Sequence, residues 1–209
     1  MTKKQRAAKI AEMLQELYPE AGCSLEYIDP LQLMVATILA AQCTDARVNI
    51  VTKDLFVKYR NVQDFANADL EELEQDIKST GFYHNKAKNI IAACKMIISD
   101  FGGSVPSNME DLLKLPGVGR KTANLILSDS FGVPGVVIDT HAKRLTNRMG
   151  LTDNEDPEKI EYDLMKLLPA EKWGNFCHQL VFHGRALCDA RKPKCADCSI
   201  KPYCKFGAS

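Results

Sequence analysis

The sequence predicts an all-α protein. Three observations point there: apolar residues recur at helical spacing, cap-and-proline signals open several segments, and alternating strand patterns bounded by hairpin turns are missing. In chain order, Asp29-Pro30 supplies an N-cap with proline at the first helical position, opening a helix through Ala41. Ile90, Cys94, Ile97, Ile98 and Phe101 come next at helical spacing, and Gly102-Gly103 provides the stop. Ser107-Asn-Met-Glu110 fits a capping box ahead of Leu112 and Leu113. Val133 to Ile138 is briefly β-like, after which Ile138-Asp-Thr-His141 begins another helix. Asp156-Pro157 repeats the cap-plus-proline signal before Ile160, Leu164, Leu167 and Leu168.

Composition sets the outer bounds. Of 209 residues, 45% are hydrophobic and 26% charged, with 12 Gly and 9 Pro, which excludes a disordered or collagen-like chain. The longest apolar run, Leu33 to Ala41, is nine residues, where a membrane span needs about 20. A basic N-terminus (Lys3, Lys4, Arg6, Lys9) is followed by Glu12, Gln15 and Glu16 in place of the apolar core of a signal peptide. The expectation is a cytoplasmic chain. Its 27 basic and 27 acidic side chains cancel, which excludes a uniformly basic coat but not a local patch. Residues 60–80 are acidic, whereas 185–205 carry Arg185, Arg191, Lys192, Lys194, Lys201 and Lys205 against Asp189 and Asp197. That asymmetry suits a polyanion and equally a solvated surface.

The eight cysteines divide sharply. Cys23, Cys43, Cys94 and Cys177 are scattered and read as small buried hydrophobes. Cys188, Cys195, Cys198 and Cys204 crowd together as C-x6-C-x2-C-x5-C. Four thiolates in so short a loop can surround one metal centre, and in a reducing compartment ligation outweighs disulfides. Zinc and an iron–sulfur cluster both accept four sulfurs. His178 and His183 lie close upstream and read as core or helix-surface residues more readily than as ligands.

A second motif, Leu115-Pro-Gly-Val-Gly119, joins the helix capped at Ser107 to one running to about Phe131. Gly117 and Gly119 can adopt angles closed to other residues and leave their amides uncovered. Such amides at a helix start form an anion site suited to a DNA phosphate. A plain helix–turn–helix corner would explain the glycines as well, but not Arg120-Lys121 on the first turn. Cations there oppose the helix dipole, which also favours the neutral amine that nucleophilic attack needs. Asp139 serves as an N-cap or a catalytic carboxylate, since both roles need a fixed, partly desolvated oxygen.

Taken together, Leu115-Pro-Gly-Val-Gly-Arg-Lys-Thr-Ala123, Ile138-Asp-Thr-His141 and the four-cysteine tail resemble the endonuclease III family. These are bifunctional DNA glycosylases of the helix–hairpin–helix superfamily, and the resemblance covers essentially the whole chain. Ala41-Gln-Cys-Thr-Asp45 sits where that family has Ala-Gln-x-Thr-Asp, and Gly81-Phe-Tyr83 resembles its Gly-Leu-Tyr loop. The resemblance implies a [4Fe–4S] cluster on Cys188, Cys195, Cys198 and Cys204. It also implies two helical lobes with DNA across the cleft between them. One is a six-helix barrel over residues 23–133, with the helix–hairpin–helix motif at about 108–131. The other is a discontinuous cluster lobe of residues 1–22 and 134–209.

The family's chemistry carries over residue by residue. Lys121 would attack C1′ of an oxidised pyrimidine nucleotide or abasic site in duplex DNA, and Asp139 would stabilise the charge that develops on the sugar. Gln42 would fill the hole left by the flipped base while Phe82 wedges into the stack, although leucine is common at that position. Further DNA contacts are implied for Thr44, Asp45, Tyr83, His84, Gly117, Gly119, Arg120, His141, Arg144, Arg191, Lys192 and Lys194. The expected state is a prokaryotic, nucleoid-associated monomer. Adenine-mismatch and thymine-mismatch glycosylases fit less well, because they generally lack the hairpin lysine. A non-catalytic DNA-binding module leaves Lys121 and Asp139 unexplained, and the cysteine spacing does not match a ferredoxin electron carrier.

Overall fold

A computed structural model describes residues 1–208. Among the described residues there are twelve α-helices, three 3-10 turns and no strand, so the chain is all-α. The helices are α1 (Lys3–Leu17), α2 (Pro30–Leu39), α3 (Asp45–Lys58), α4 (Val62–Ala66), α5 (Leu70–Asp76) and α6 (Tyr83–Asp100). They continue as α7 (Met109–Leu112), α8 (Arg120–Phe131), α9 (Thr140–Met149), α10 (Pro157–Leu167), α11 (Trp173–Ala186) and α12 (Lys205–Ala208). None is long and apolar enough to cross a membrane. The chain divides into two compact units, one of Cys23–Val133 and one that combines Met1–Gly22 with Pro134–Ser209.

In the Cys23–Val133 unit, α2 is the central helix. Eight of its ten residues are buried, as expected for a helix that is apolar on every side, and α3, α6 and α8 pack around it. It starts where Asp29 accepts a hydrogen bond from the Gln32 amide at 2.8 Å. It ends at Leu39, two residues short of the expected end, because the chain turns through Ala40–Cys43 to reach the α3 cap at Thr44. The cap of α7 also differs from expectation. Asn108 is the N-cap, not Ser107: Asn108 Oδ1 accepts from the Asp111 amide at 2.9 Å, and its Nδ2 donates to Asp111 Oδ2 at 2.8 Å. This closed pair outcompetes the Ser107–Glu110 register one residue earlier.

The other unit is built on α1, α9, α10 and α11. Ile10, Leu14, Leu145, Leu164, Phe176 and Leu180 form its core. Asp139 and Asp156 cap α9 and α10 as the sequence predicts. The β-like stretch before α9 pairs with no strand. Val136 and Ile138 are apolar because they lie in this core.

Candidate active site and metal centre

The hairpin joins α7 to α8 through a turn in which the Val118 amide donates to Leu115 O at 3.1 Å. Leu115 and Val118 are buried and anchor the turn from below. Gly117 has φ +81°, and a Cβ there would stand 3.0 Å from Asn89 Cβ on α6, so both conformation and space require glycine. Gly119 departs from expectation. Its φ of −93° and ψ of 175° are extended backbone open to any residue, and nothing lies within 4 Å of a Cβ added there. What Gly119 contributes is the lack of a side-chain cap on α8, which leaves first-turn amides for an outside acceptor. Gly117→Ala is therefore expected to cost about 1–3 kcal/mol in urea unfolding, and Gly119→Ala less than about 1 kcal/mol.

Two α8 cations stand beside these amides. Arg120 is half-buried and partnered within the protein. Lys121 is exposed, and among the described residues its amine has neither an ion pair nor a hydrogen bond. At the start of α9, half-buried Asp139 accepts from the Ala142 amide through Oδ1 at 2.7 Å. The cap occupies that oxygen, and no second partner among the described residues occupies the other.

Gln42 and Phe82 share an unusual backbone. Among the described residues they are the only non-glycine positions with positive φ, at 54° and 49°. For a bulky side chain this left-handed conformation is a genuine outlier, costing on the order of 1–3 kcal/mol, and such strain clusters at functional sites. Both side chains are exposed, Phe82 by 62% despite its size. Around them, exposed Thr44 caps α3 by accepting from the Arg47 amide, and Asp45 takes the first turn. The Tyr83 and His84 rings lie 4.2 Å apart, and His84 Nδ1 meets the carboxylate of Glu74 at 2.6 Å.

Four of the cysteines share one cavity. Cys188, Cys195, Cys198 and Cys204 line one pocket walled by Met149, Leu187 and Ile200. None forms a disulfide. No three His, Cys, Asp or Glu side chains among the described residues converge closely enough to hold a single metal ion. Cys94 and Cys177 are buried as expected, while Cys23 and Cys43 are only half-buried. Donors face the cavity sulfurs. Arg148 on α9 donates from Nη1 to Cys188 Sγ at 3.3 Å, and its guanidinium also holds the Asp189 and Ala190 carbonyls at 2.7 Å. Buried His183 contacts Cys198 Sγ through Nε2 at 3.5 Å and the Tyr18 hydroxyl through Nδ1 at 3.1 Å. Burial pushes its imidazole down to about 4, so it is neutral at pH 7.

Arg144 and His141 sit inside this framework. Arg144 Nη2 donates to Cys188 O at 3.0 Å and contacts His141 Nδ1 at 3.1 Å, so this guanidinium braces the cysteine loop. The expected DNA contact of Arg144 is a separate role, which this bracing through Nη2 leaves open to its other amine. Arg191, Lys192 and Lys194 are exposed, but Lys194 Nζ already donates to Ala186 O at 3.2 Å. Sequence reasoning missed Arg148 altogether. The usable signal was its place in the last turn of α9, where a cation can reach the neighbouring loop.

A helix–hairpin–helix with an uncapped second helix, a carboxylate cap and a cysteine cavity define the class, a DNA-processing helical protein. The model of the HhH-GPD superfamily of base excision DNA repair proteins matches residues 35–170. The endonuclease III of Synechocystis sp. is 54% identical over 97% of this chain and 93% of its own length. Two solved structures, a non-covalent endonuclease III–DNA complex and a trapped endonuclease III–DNA covalent intermediate, each align at a TM-score of 0.94 and 44% identity. Both alignments cover 100% of this chain and 98% of theirs. The chain belongs to the endonuclease III family within that superfamily. It is a base excision repair enzyme with glycosylase and abasic-site lyase function, and DNA is its partner.

Proposed function

We propose that this enzyme removes oxidised pyrimidines from duplex DNA and nicks the abasic site through a Schiff base on Lys121. The observation that carries the reading is the unpaired Lys121 amine beside the uncapped start of α8. A DNA phosphate accepts from the first-turn amides, and the amine attacks C1′ of the flipped nucleotide. The C1′–N bond breaks and the base leaves with the electron pair. The attacking nitrogen gives up a proton, the C1′–O4′ bond opens with O4′ taking a proton, and a Schiff base joins Lys121 to the opened sugar. Loss of a proton from C2′ then expels the 3′ phosphate by β-elimination, and water releases the sugar aldehyde from Lys121. Positive charge develops on the sugar during the first step, and the free oxygen of Asp139 stabilises it. Gln42 and Phe82 enter the stack and hold the vacated space. Borohydride added during reaction with a thymine-glycol duplex tests the lyase reading: a covalent protein–DNA adduct is expected, and its absence rules out the Schiff base.

The cysteine cavity suits a [4Fe–4S] cluster better than zinc. The C-x6-C-x2-C-x5-C spacing and membership of the endonuclease III family support a multi-iron centre, and the Arg148 and His183 contacts suit its negative charge. Cys188, Cys195, Cys198 and Cys204 would hold the cluster, which when bound supplies the bonds that pin the loop. Pinning orders Arg191 and Lys192 for phosphate contact, whereas a free loop would lose entropy on meeting DNA. Lys192→Ala is expected to weaken duplex binding across sequences and flatten the log–log salt dependence by about one unit of slope, with iron retained. Lys194→Ala should do less, since that ammonium is held by Ala186 O. An unchanged slope for Lys192→Ala would leave the cluster as a folding element alone.

A further inference from the structure

We propose that Lys86 is a positioning residue that holds the loops carrying Gln42 and Phe82 in their strained, DNA-entering conformations. This role rests on the reading that these two side chains open the duplex. Lys86 lies on the first turns of α6 and is 4% exposed. Its Nζ donates to Leu39 O at 2.8 Å and to Thr80 O at 2.9 Å. Leu39 is the last residue of α2, and Thr80 is the last residue of the 3-10 turn Lys78–Thr80. Carbonyls at helix ends lack intrahelical partners, so one ammonium closes two helix ends at once.

Both of those ends lead straight into a strained turn. The chain runs three residues from Leu39 to Gln42 and two from Thr80 to Phe82, the only two non-glycine positions of positive φ among the described residues. A single buried cation therefore anchors the root of both turns. Helix stability does not account for a lysine here, because a cation near the start of α6 opposes the helix dipole. Nor does a salt bridge, since the side chain has no carboxylate partner among the described residues. Burial pushes the Lys86 ammonium below its ordinary pKa, so keeping it inside is unfavourable unless both carbonyls are held. Without it, two buried carbonyls are released and each loop can relax out of the left-handed region. Gln42 and Phe82 would then have to be ordered anew at every encounter with DNA.

The test is a ratio of single-turnover rates on two substrates, measured with iron-loaded full-length enzyme. One is a thymine-glycol duplex that is fully paired, the other the same duplex with mismatched pairs flanking the lesion, already open. Because one preparation supplies both rates, the ratio does not depend on the fraction of active enzyme. Lys86→Met, similar in length but without a donor, is expected to lower the paired-to-open ratio about tenfold or more, while Lys86→Arg keeps it within about threefold. Ile97→Val, a core truncation on the same helix, should leave it unchanged. A normal ratio for Lys86→Met, or an equal fall for Ile97→Val, overturns the inference. If Lys86→Met fails to fold, Lys86→Gln, too short to bond both carbonyls, replaces it under the same criteria. Gln42→Ala and Phe82→Ala separate the two levels. Normal ratios in both remove the duplex-opening reading itself, whereas lowered ratios there with a normal Lys86→Met remove only the role of Lys86.

Discussion

Lys121→Gln is expected to abolish borohydride trapping and to lower strand nicking by about 10³-fold or more, with DNA binding largely retained. An amide has no basic lone pair to attack C1′ and cannot form an imine. The substitution should not act through folding. Lys121 is exposed and without an ion pair among the described residues, and changes at such positions alter stability by within about 0.5 kcal/mol. Binding should be preserved because the proposed phosphate site uses the uncapped α8 amides, which Gln leaves in place. Lys121→Ala should match it, which separates loss of the amine from any contact made by Gln. The measurement is gel detection of the covalent adduct under equal enzyme and substrate. Trapping that survived both substitutions would falsify the assignment.

Asp139→Asn is expected to separate chemistry from capping. Asparagine is as good an N-cap as aspartate, and its Oδ1 can keep the 2.7 Å bond from the Ala142 amide. Unfolding free energy should therefore change by less than about 0.5 kcal/mol, while Asp139→Ala, which loses the cap, should cost about 1 kcal/mol. Single-turnover base excision should fall by about 10²–10³-fold in the Asn variant, because a neutral amide stabilises a developing sugar cation far less than a carboxylate. Urea titration and excision kinetics on the same preparations decide it. An Asn variant that excises bases at the wild-type rate reduces Asp139 to a helix cap.

Local chemistry wrote most of the frame into the sequence. Asp29, Asp139 and Asp156 cap helices as read, because a cap is one side chain bonding an amide three residues on and needs no distant partner. The α7 cap slipped from Ser107 to Asn108, since two adjacent registers both fit and the packed turn selects between them. The four cysteines were legible as one group because their short spacing confines them to one loop, and they do line one cavity. Of the two reasons read for the hairpin glycines, the special backbone angle holds for Gly117 alone, while Gly119 has ordinary backbone and leaves the α8 amides uncapped.

Tertiary structure alone decided the rest. Positive φ at Gln42 and Phe82 has no local signature, as neither residue favours the left-handed region. Nothing in the sequence sets Lys86 apart from the other 26 basic residues, and only folding brings Leu39 and Thr80 to the same ammonium. The same holds for Arg148, whose partners lie 40 to 42 residues away along the chain, and for Arg144, whose Nη2 braces the cysteine loop at Cys188 O. Periodicity and capping record where a backbone bonds to itself nearby. Which buried donor meets which distant carbonyl is set by packing, because an unpaired polar group in the interior costs more than any local preference supplies.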